Sequence, residues 1–185
     1  MAELRTALLI MDVQPEIVAR FGDPGVTDRL ARAAAAARTA GVLVVYVTVG
    51  FRPGHPEISP RNRQFAAIAQ ADGFVEGISS ALHPALAPQP GDVELKKRRV
   101  SAFAGSDLDM VLRARGIEAL VLSGISTSGC VLSTLRQAAD LDFVLTVLSD
   151  GCLDDDDEVH RVLCEKVFPR QADVVTVDAW ISGLA

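Results

Sequence analysis

Strand-sized runs alternate with helix-forming stretches along almost the whole chain. The pattern predicts strands at residues 6–11, 42–47, 92–96, 119–123, 143–148 and 172–177. It predicts helices at residues 28–40, 64–71, 107–115, 131–140 and 155–167. Most of the strand runs are continuously apolar, which is typical of parallel strands covered on both faces. We therefore expect an α/β fold, a doubly wound, Rossmann-like sheet of six parallel strands in the order 3-2-1-4-5-6 with helices on both faces.

Length, charge and cysteine usage restrict what such a chain does. Its 185 residues suffice for one core and contain no linker-like segment, which favours a single domain over residues 1–185. A net charge of −6 disfavours nucleic acid as a partner. No apolar run has the length of a transmembrane helix or a secretion signal, and the three cysteines lack disulfide or zinc spacing. We expect a cytoplasmic protein with neither a nucleic acid nor a membrane as partner.

Ligands of doubly wound sheets bind beyond the carboxyl ends of the strands, so residues that follow strands are the first candidates for function. Cys130 follows the fourth strand and a turn of small residues, and it opens a helix. The positive end of the helix dipole and the unpaired N–H groups there lower the pKa of a thiol, which would make Cys130 a nucleophile. The alternative is a small residue that packs the start of the helix against the sheet.

Two charged residues also stand at strand ends. Asp12 closes the first strand, where a carboxylate acts either as a general base or as a turn residue that accepts backbone N–H groups. Lys97 belongs to the basic run KKRR at residues 96–99, which is otherwise typical of a solvated strand end. The strand order brings Asp12 close to Cys130 but places Lys97 beyond an intervening strand. The residues by themselves leave the role of Lys97 open.

Three motifs resemble those of the isochorismatase-like cysteine hydrolases, the superfamily that includes nicotinamidases and N-carbamoylsarcosine amidases. They read LLIMDVQ at residues 8–14, KRRVSAF at residues 97–103 followed by Asp107 and Leu108, and GISTSGCVLST at residues 124–134 followed by Ala138. The resemblance extends from Ala7 to about Val177. It is specific, because all three motifs occur in order and at the predicted strand ends.

The resemblance implies a catalytic triad of Asp12, Lys97 and Cys130. It also implies a cis, non-proline peptide between Ile125 and Ser126, and an oxyanion hole formed by the backbone N–H groups of Ser126 and Cys130. The implied reaction is hydrolysis of a C–N bond in a small amide-type substrate, with Cys130 as nucleophile and a thioester as intermediate.

Metal binding is not expected. Nicotinamidases of this superfamily carry an Asp-x-His pair and further histidines that bind a metal. Here residues 51–57 read FRPGHPE, in which His55 is the single histidine, and zinc requires three or four protein ligands. We expect no metal, no cofactor and a substrate other than nicotinamide. His55 is expected to be an ordinary loop residue, and His83 and His160 surface residues.

Specificity is expected to reside in segments that border the pocket in relatives. The candidate substrate-binding residues are Phe21, Phe51, Arg52, Arg61, Asn62 and Phe65. Arg52 or Arg61 would hold a substrate carboxylate, and the alternative for each is an exposed loop arginine. The resemblance further implies a small-molecule substrate and a homodimer or homotetramer.

Two kinds of alternative function remain: hydrolysis of a different bond, and binding without catalysis. The same triad would hydrolyse an ester, a lactam or a ureido bond, and a catalytically silent binding protein on this fold is the alternative outside enzymes. The turn after the first strand lacks the glycine fingerprint of dinucleotide-binding proteins, which disfavours an NAD-dependent enzyme.

Overall fold

The computed structural model describes residues 4–21, 23 and 25–184. Its strands are β1 (Thr6–Met11), β2 (Leu43–Val49), β3 (Val93–Lys97), β4 (Ala119–Ile125), β5 (Val144–Leu153) and β6 (Asp173–Val175). Its α-helices are α1 (Pro15–Phe21), α2 (Gly25–Thr39), α3 (Arg63–Gln70), α4 (Leu108–Ala114), α5 (Leu132–Asp140), α6 (Asp157–Val162) and α7 (Val177–Ser182). Two π-helical turns, Thr127–Val131 and Leu163–Val167, directly precede α5 and follow α6.

The strands form one parallel sheet in the order β3-β2-β1-β4-β5-β6, which confirms the predicted topology. Side chains of β1 alternate between two apolar cores, as the pleat of a strand requires. Leu8 and Ile10 pack with α2 on one face. Leu9 and Met11 pack with α4 and α5 on the other. Because β1 lies at the centre of the sheet, its carboxyl end is where the strand order reverses and where a ligand is expected.

Several element boundaries differ from the prediction. α1 was not predicted, although it begins at Pro15, a residue favoured in the first turn of a helix. β5 extends to Leu153 because, beyond a register shift, Cys152 and Leu153 pair with Gly124 and Ile125. β6 ends at Val175 rather than at residue 177, because Thr176 caps the short helix α7. None of the helices among the described residues has the length and apolar content to cross a bilayer.

β1 and β4 approach each other most closely at Gly124. A Cβ placed on this residue would lie 2.1 Å from the carbonyl oxygen of Met11, and the backbone φ angle is +134°. Only glycine fits such a site without displacing the backbone. The close approach brings the end of β4, which leads into Cys130, next to the end of β1, which leads into Asp12.

Candidate active site

Asp12 and Lys97 form a buried ion pair at the carboxyl edge of the sheet. The Nζ atom of Lys97 lies 2.8 Å from Oδ2 of Asp12, and the side chains of Lys97 and Asp12 are 3% and 8% exposed. Lys97 also donates to the carbonyl oxygens of Arg99 and Val100, at 2.9 Å each. Three acceptors match the three donors of an ammonium group, so the side chain of Lys97 is fully hydrogen-bonded.

The register of the sheet explains how Lys97 reaches Asp12 from an edge strand. Val47 of β2 pairs with Met11 on one side and with Leu95 on the other. Lys97 therefore lies two residues further along the sheet than Met11, beyond the end of β1. Two strand spacings separate β3 from β1 by about 10 Å. The lysine and aspartate side chains cross this distance above β2 and meet.

Cys130 lies in the turn that follows β4. The peptide bond between Ile125 and Ser126 is cis, and residues Thr127–Val131 form a π-helical turn that continues into α5. Cys130 is 2% exposed, and its Sγ lies 3.7 Å from the carbonyl oxygen of Ser126. A Cβ at Gly129 would lie 2.7 Å from Oγ of Ser126, so a larger residue there would require the Ser126 side chain to rotate.

The protonation of these groups departs from the sequence prediction. Burial raises the pKa of the Cys130 thiol well above its usual range, and the Asp12 carboxylate adds to the rise. The predicted lowering of this pKa by the helix N-terminus is therefore wrong, because burial and a neighbouring negative charge outweigh it. Burial also raises the pKa of Asp12, while Lys97 opposes that rise. Burial thus favours the neutral forms of both groups.

One oxygen of Asp12 has no partner. Oδ2 is bound to Lys97, but Oδ1 is buried and has no described donor in ordinary hydrogen-bond geometry. The Cys130 thiol and the Val49 N–H group are still near enough to lower the pKa of the carboxyl group. An unpartnered buried acceptor is unfavourable unless a proton donor reaches it. Because Asp12 and Cys130 border the same cavity, Oδ1 is the atom suited to accept a proton from the thiol.

The turn that carries Cys130 is fixed from behind by the segment after β5. The N–H group of Ser128 donates to Asp154 Oδ2 at 2.6 Å. Oγ1 of the fully buried Thr127 forms a 2.8 Å hydrogen bond with Nδ1 of His160. The expectation that His160 is a surface residue is wrong, because its ring is half-buried and bonded to the nucleophile turn.

A cavity of about 400 Å³ opens above these groups. Asp12, Lys97, Ser126 and Cys130 form its floor at the edge of the sheet. One side is formed by α1, and another is formed by Gln64, Phe65 and Ile68 of α3. This volume lies near the lower end of the range for small-molecule sites. The cavity therefore fits a small substrate held over the thiol.

The structure places only some of the predicted specificity residues at this cavity. Phe21 and Phe65 line it. Phe51 is completely buried and packs edge-on against Phe65, so it supports the wall from behind. Asn62 accepts a hydrogen bond from the N–H group of Phe65 and caps α3.

The two predicted carboxylate-binding arginines lie away from the cavity. Arg52 pairs with Glu57 at 2.6 Å, and the exposed Arg61 is not among the described residues that line the cavity. Neither arginine lines the cavity among the described residues, since an acidic neighbour holds Arg52 and Arg61 is exposed.

Other lining residues were missed by the sequence analysis. Ile17 and Arg20 reach the cavity from α1, and Asp155 reaches it from the loop before α6. The proline at the start of α1 was the available signal, since it predicts a helix that would place residues 17, 20 and 21 on one face.

His55 is buried at 5% exposure, and its Nε2 lies 2.8 Å from the carbonyl oxygen of Gly73. It belongs to a loop, as predicted, and stabilises that loop from inside. No group of three or more His, Cys, Asp or Glu side chains in the described part of the chain is arranged to hold a metal ion.

Comparisons with known proteins agree with this fold. The family model of the isochorismatase domain matches residues 6–179, and the chain therefore belongs to the isochorismatase family. It is 34% identical over 186 residues to the uncharacterized isochorismatase family protein YecD of Escherichia coli O157:H7, covering 97% of this chain and 96% of that protein.

Two further relatives have named activities. The ureidoacrylate amidohydrolase RutB of Stutzerimonas stutzeri (strain A1501) is 36% identical over 209 residues, covering 97% of this chain and 79% of the relative. The solved structure of N-carbamoylsarcosine amidase from Thermoplasma acidophilum is similar with a TM-score of 0.78 at 27% identity, covering 95% of this chain and 98% of that one.

Proposed function

We propose that this protein hydrolyses a C–N bond of a small amide, with Cys130 as nucleophile, Asp12 as general base and acid, and Lys97 as the cation that orients Asp12. The observation that carries the proposal is the buried Lys97–Asp12 pair, which borders the same cavity as the thiol and leaves Oδ1 of Asp12 without a hydrogen-bond partner. The names of the two relatives, an amidohydrolase and an amidase, support the same class of reaction.

The first half of the reaction forms a thioester. Oδ1 of Asp12 takes the thiol proton as Sγ of Cys130 forms a bond to the amide carbon, and the carbonyl π electrons move to the oxygen. The backbone N–H groups of Ser126 and Cys130 are assigned to this oxyanion. Its electrons then re-form the carbonyl, the C–N bond breaks, and Asp12 returns its proton to the departing nitrogen. Ammonia or an amine leaves.

The second half restores the enzyme. Asp12 takes a proton from a water molecule, whose oxygen attacks the thioester carbon and forms a second tetrahedral oxyanion. The C–S bond breaks, and Asp12 returns the proton to Sγ. The net change converts one amide and one water into a carboxylic acid and ammonia or an amine. Lys97 remains charged throughout and stabilises the negative charge that moves from Asp12 to the reacting centre.

A ureido bond is the second candidate, because ureidoacrylate and N-carbamoylsarcosine appear in the names of the relatives. Attack on a carbamoyl carbon follows the same steps and gives a carbamoyl thioester in place of an acyl thioester. The same floor residues would act on an amide and on a ureido compound. The residues of the cavity walls would therefore determine which of the two substrates is preferred.

Ammonia release from a panel of primary amides and carbamoyl compounds tests the proposal. Cys130→Ala is expected to abolish release while its thermal unfolding stays close to that of the wild type. Added hydroxylamine is expected to intercept the acyl-enzyme of the wild type and give a hydroxamate. Full activity of Cys130→Ala on a substrate that the wild type cleaves would rule out the proposed nucleophile.

A further inference from the structure

Of the basic side chains that line the cavity, one has binding partners within the protein and the other has none among the described residues. Lys97 and Arg20 are the two basic residues among the described residues that line it. Lys97 already binds Asp12 and two backbone carbonyl groups. Arg20 forms no hydrogen bond or ion pair with any described residue. The guanidinium of Arg20 is thus the one cation of the described cavity wall that remains available to a ligand.

Three arginines that do not line the cavity are held by contacts within the protein. Arg98 pairs with Glu76 at 2.5 Å. Arg99 donates to the carbonyl oxygen of Glu57 at 2.8 Å and lies over the ring of Phe65. Arg52 pairs with the carboxylate of Glu57. Arg52 and Arg98 thus have carboxylate partners, and Arg99 is held by a carbonyl oxygen and a ring, whereas Arg20 has five donors unused among the described residues.

The position of Arg20 on α1 directs it to the same space as the thiol. Ile17, Arg20 and Phe21 all line the cavity, and residues separated by three or four positions share one face of a helix. Ile17 and Phe21 supply apolar surface beside the guanidinium. Arg20 itself is exposed, which places its charge at the mouth of the cavity while Cys130 lies at the floor.

We propose that Arg20 binds a carboxylate of the substrate, so that the natural substrates are small amides that carry a carboxylate at the end opposite to the scissile bond. The inference rests on the proposed function. A planar guanidinium pairs with a carboxylate through two parallel hydrogen bonds. Such a pair at the mouth would orient the amide carbon towards Cys130, and the apolar side chains of α1 would cover the carbons between the two ends.

Asp155 is the other charged group of the wall that no cation neutralises among the described residues. It is exposed and carries the same sign as the expected ligand. Its repulsion of a carboxylate is weakened by solvent. Removal of this charge should therefore improve binding of an anionic substrate slightly, which separates the proposal from one in which Asp155 binds a cationic substrate.

The test uses pairs of amides with matched shape. Malonamate, succinamate and glutaramate are compared with the neutral amides in which an isopropyl group replaces the carboxylate. The wild type is expected to favour the carboxylate compound of the best pair by about fivefold in kcat/KM, because solvent weakens a pair between an exposed arginine and a carboxylate. Arg20→Gln should remove this preference, mainly by raising KM for the carboxylate compounds.

Control variants separate the site from overall charge. Arg170→Gln makes the same change of charge at an exposed residue that does not line the cavity, and it should retain the preference. Arg20→Lys should restore only part of it, because an ammonium lacks the bidentate geometry. Asp155→Asn should raise kcat/KM for the carboxylate compounds by about twofold.

A binding measurement distinguishes failure of this inference from failure of the proposed function. Calorimetry of succinamate on Cys130→Ala, with and without Arg20→Gln, reports the subsite without turnover. One outcome is that succinamate binds only when Arg20 is present while the wild type releases no ammonia from any amide. That pair of results would overturn the proposed function and keep the subsite. Equal binding or turnover of charged and neutral partners, or equal loss for both in Arg20→Gln, would overturn the subsite.

Discussion

Lys97 binds one oxygen of the Asp12 carboxylate at 2.8 Å and leaves the other oxygen without a partner. This division gives the carboxylate two different ends. Oδ2 is fixed by Lys97, whose three N–H donors are all engaged. Oδ1 is left to accept a proton. A general base requires both properties, namely a fixed orientation and an acceptor atom within reach of the proton.

The raised pKa of Cys130 has a direct consequence for its reactivity. Only the thiolate reacts rapidly with alkylating agents, so iodoacetamide should modify Cys130 slowly at neutral pH. Asp12→Asn removes the negative charge that contributes to the rise and should speed alkylation several-fold while abolishing amide hydrolysis. Mass spectrometry of the Cys130 peptide, followed over time, measures the rate. Slower alkylation in Asp12→Asn would contradict this electrostatic relationship.

The pH dependence of turnover follows from the pKa of Asp12. The base is active only when ionised, so kcat/KM should rise with pH through the pKa of Asp12. Burial raises that pKa, which places the acid limb at a higher pH than an ordinary aspartate would give. Lys97→Met removes the cation that lowers the pKa, so the limb should move to still higher pH and the maximal rate should fall.

Lys96→Met provides the matched control for that profile. Lys96 is the exposed neighbour of Lys97 in the same strand, and its side chain points to the opposite face. The variant should keep the acid limb and the rate of the wild type. An identical pH profile in Lys97→Met and the wild type would show that Lys97 does not act through Asp12.

The proximity of Asp12 and Cys130 was predictable from strand order, because parallel strands bring their carboxyl ends to one edge and β1 and β4 are neighbours. Lys97 was expected only from the family resemblance, since β2 separates its strand from β1. The predicted lowering of the pKa of Cys130 was wrong because that pKa does depend on the surrounding side chains. It considered a helix terminus alone, whereas burial and the charge of Asp12 are properties of the assembled site.

The walls of the cavity were less predictable. An isolated arginine in a loop gives no sign of whether a carboxylate such as Glu57 will bind it, as happens to Arg52. The contact between His160 and Thr127 joins residues 33 positions apart on different elements. No spacing rule within one helix or strand anticipates such a pair. Arg20 was missed with the short helix that carries it.

Gly124 should be indispensable for the fold, because its Cβ would clash with the backbone of Met11. We expect Gly124→Ala to lower the free energy of unfolding by about 3 kcal/mol or more, the range of severe steric substitutions. Gly41→Ala is the matched control, since Gly41 has a φ angle of +72° but no atom within 4 Å of the position that a Cβ would occupy. It should cost only about 1 kcal/mol, for the backbone conformation alone.

Urea unfolding of both glycine variants measures the difference between them, which isolates the clash from the cost of a positive φ angle. Equal destabilisation by the two substitutions would mean that β1 and β4 can separate at Gly124 without loss of packing. In that case Gly124 would have no special part in bringing Asp12 and Cys130 together.

His160 should act as a positioning residue for the nucleophile turn through its hydrogen bond to Thr127. His160→Leu leaves the buried hydroxyl of Thr127 without this partner, an arrangement that costs about 1–3 kcal/mol. We expect kcat to fall by about tenfold with little change in KM, because a displaced thiol attacks less often while the walls still bind substrate. His160→Asn, which keeps a polar atom near the position of Nδ1, should recover part of the rate.

Thr127→Val supplies the second half of a double-mutant cycle for this contact. It removes the same hydrogen bond from the other side, so it should lower kcat by a similar factor, and the double variant should lose little more than either single one. A purely structural role would lower the free energy of unfolding and leave kcat of the folded enzyme intact. Additive losses in the cycle would likewise show that His160 and Thr127 act separately, and the segment after β5 would then not position Cys130 through this pair.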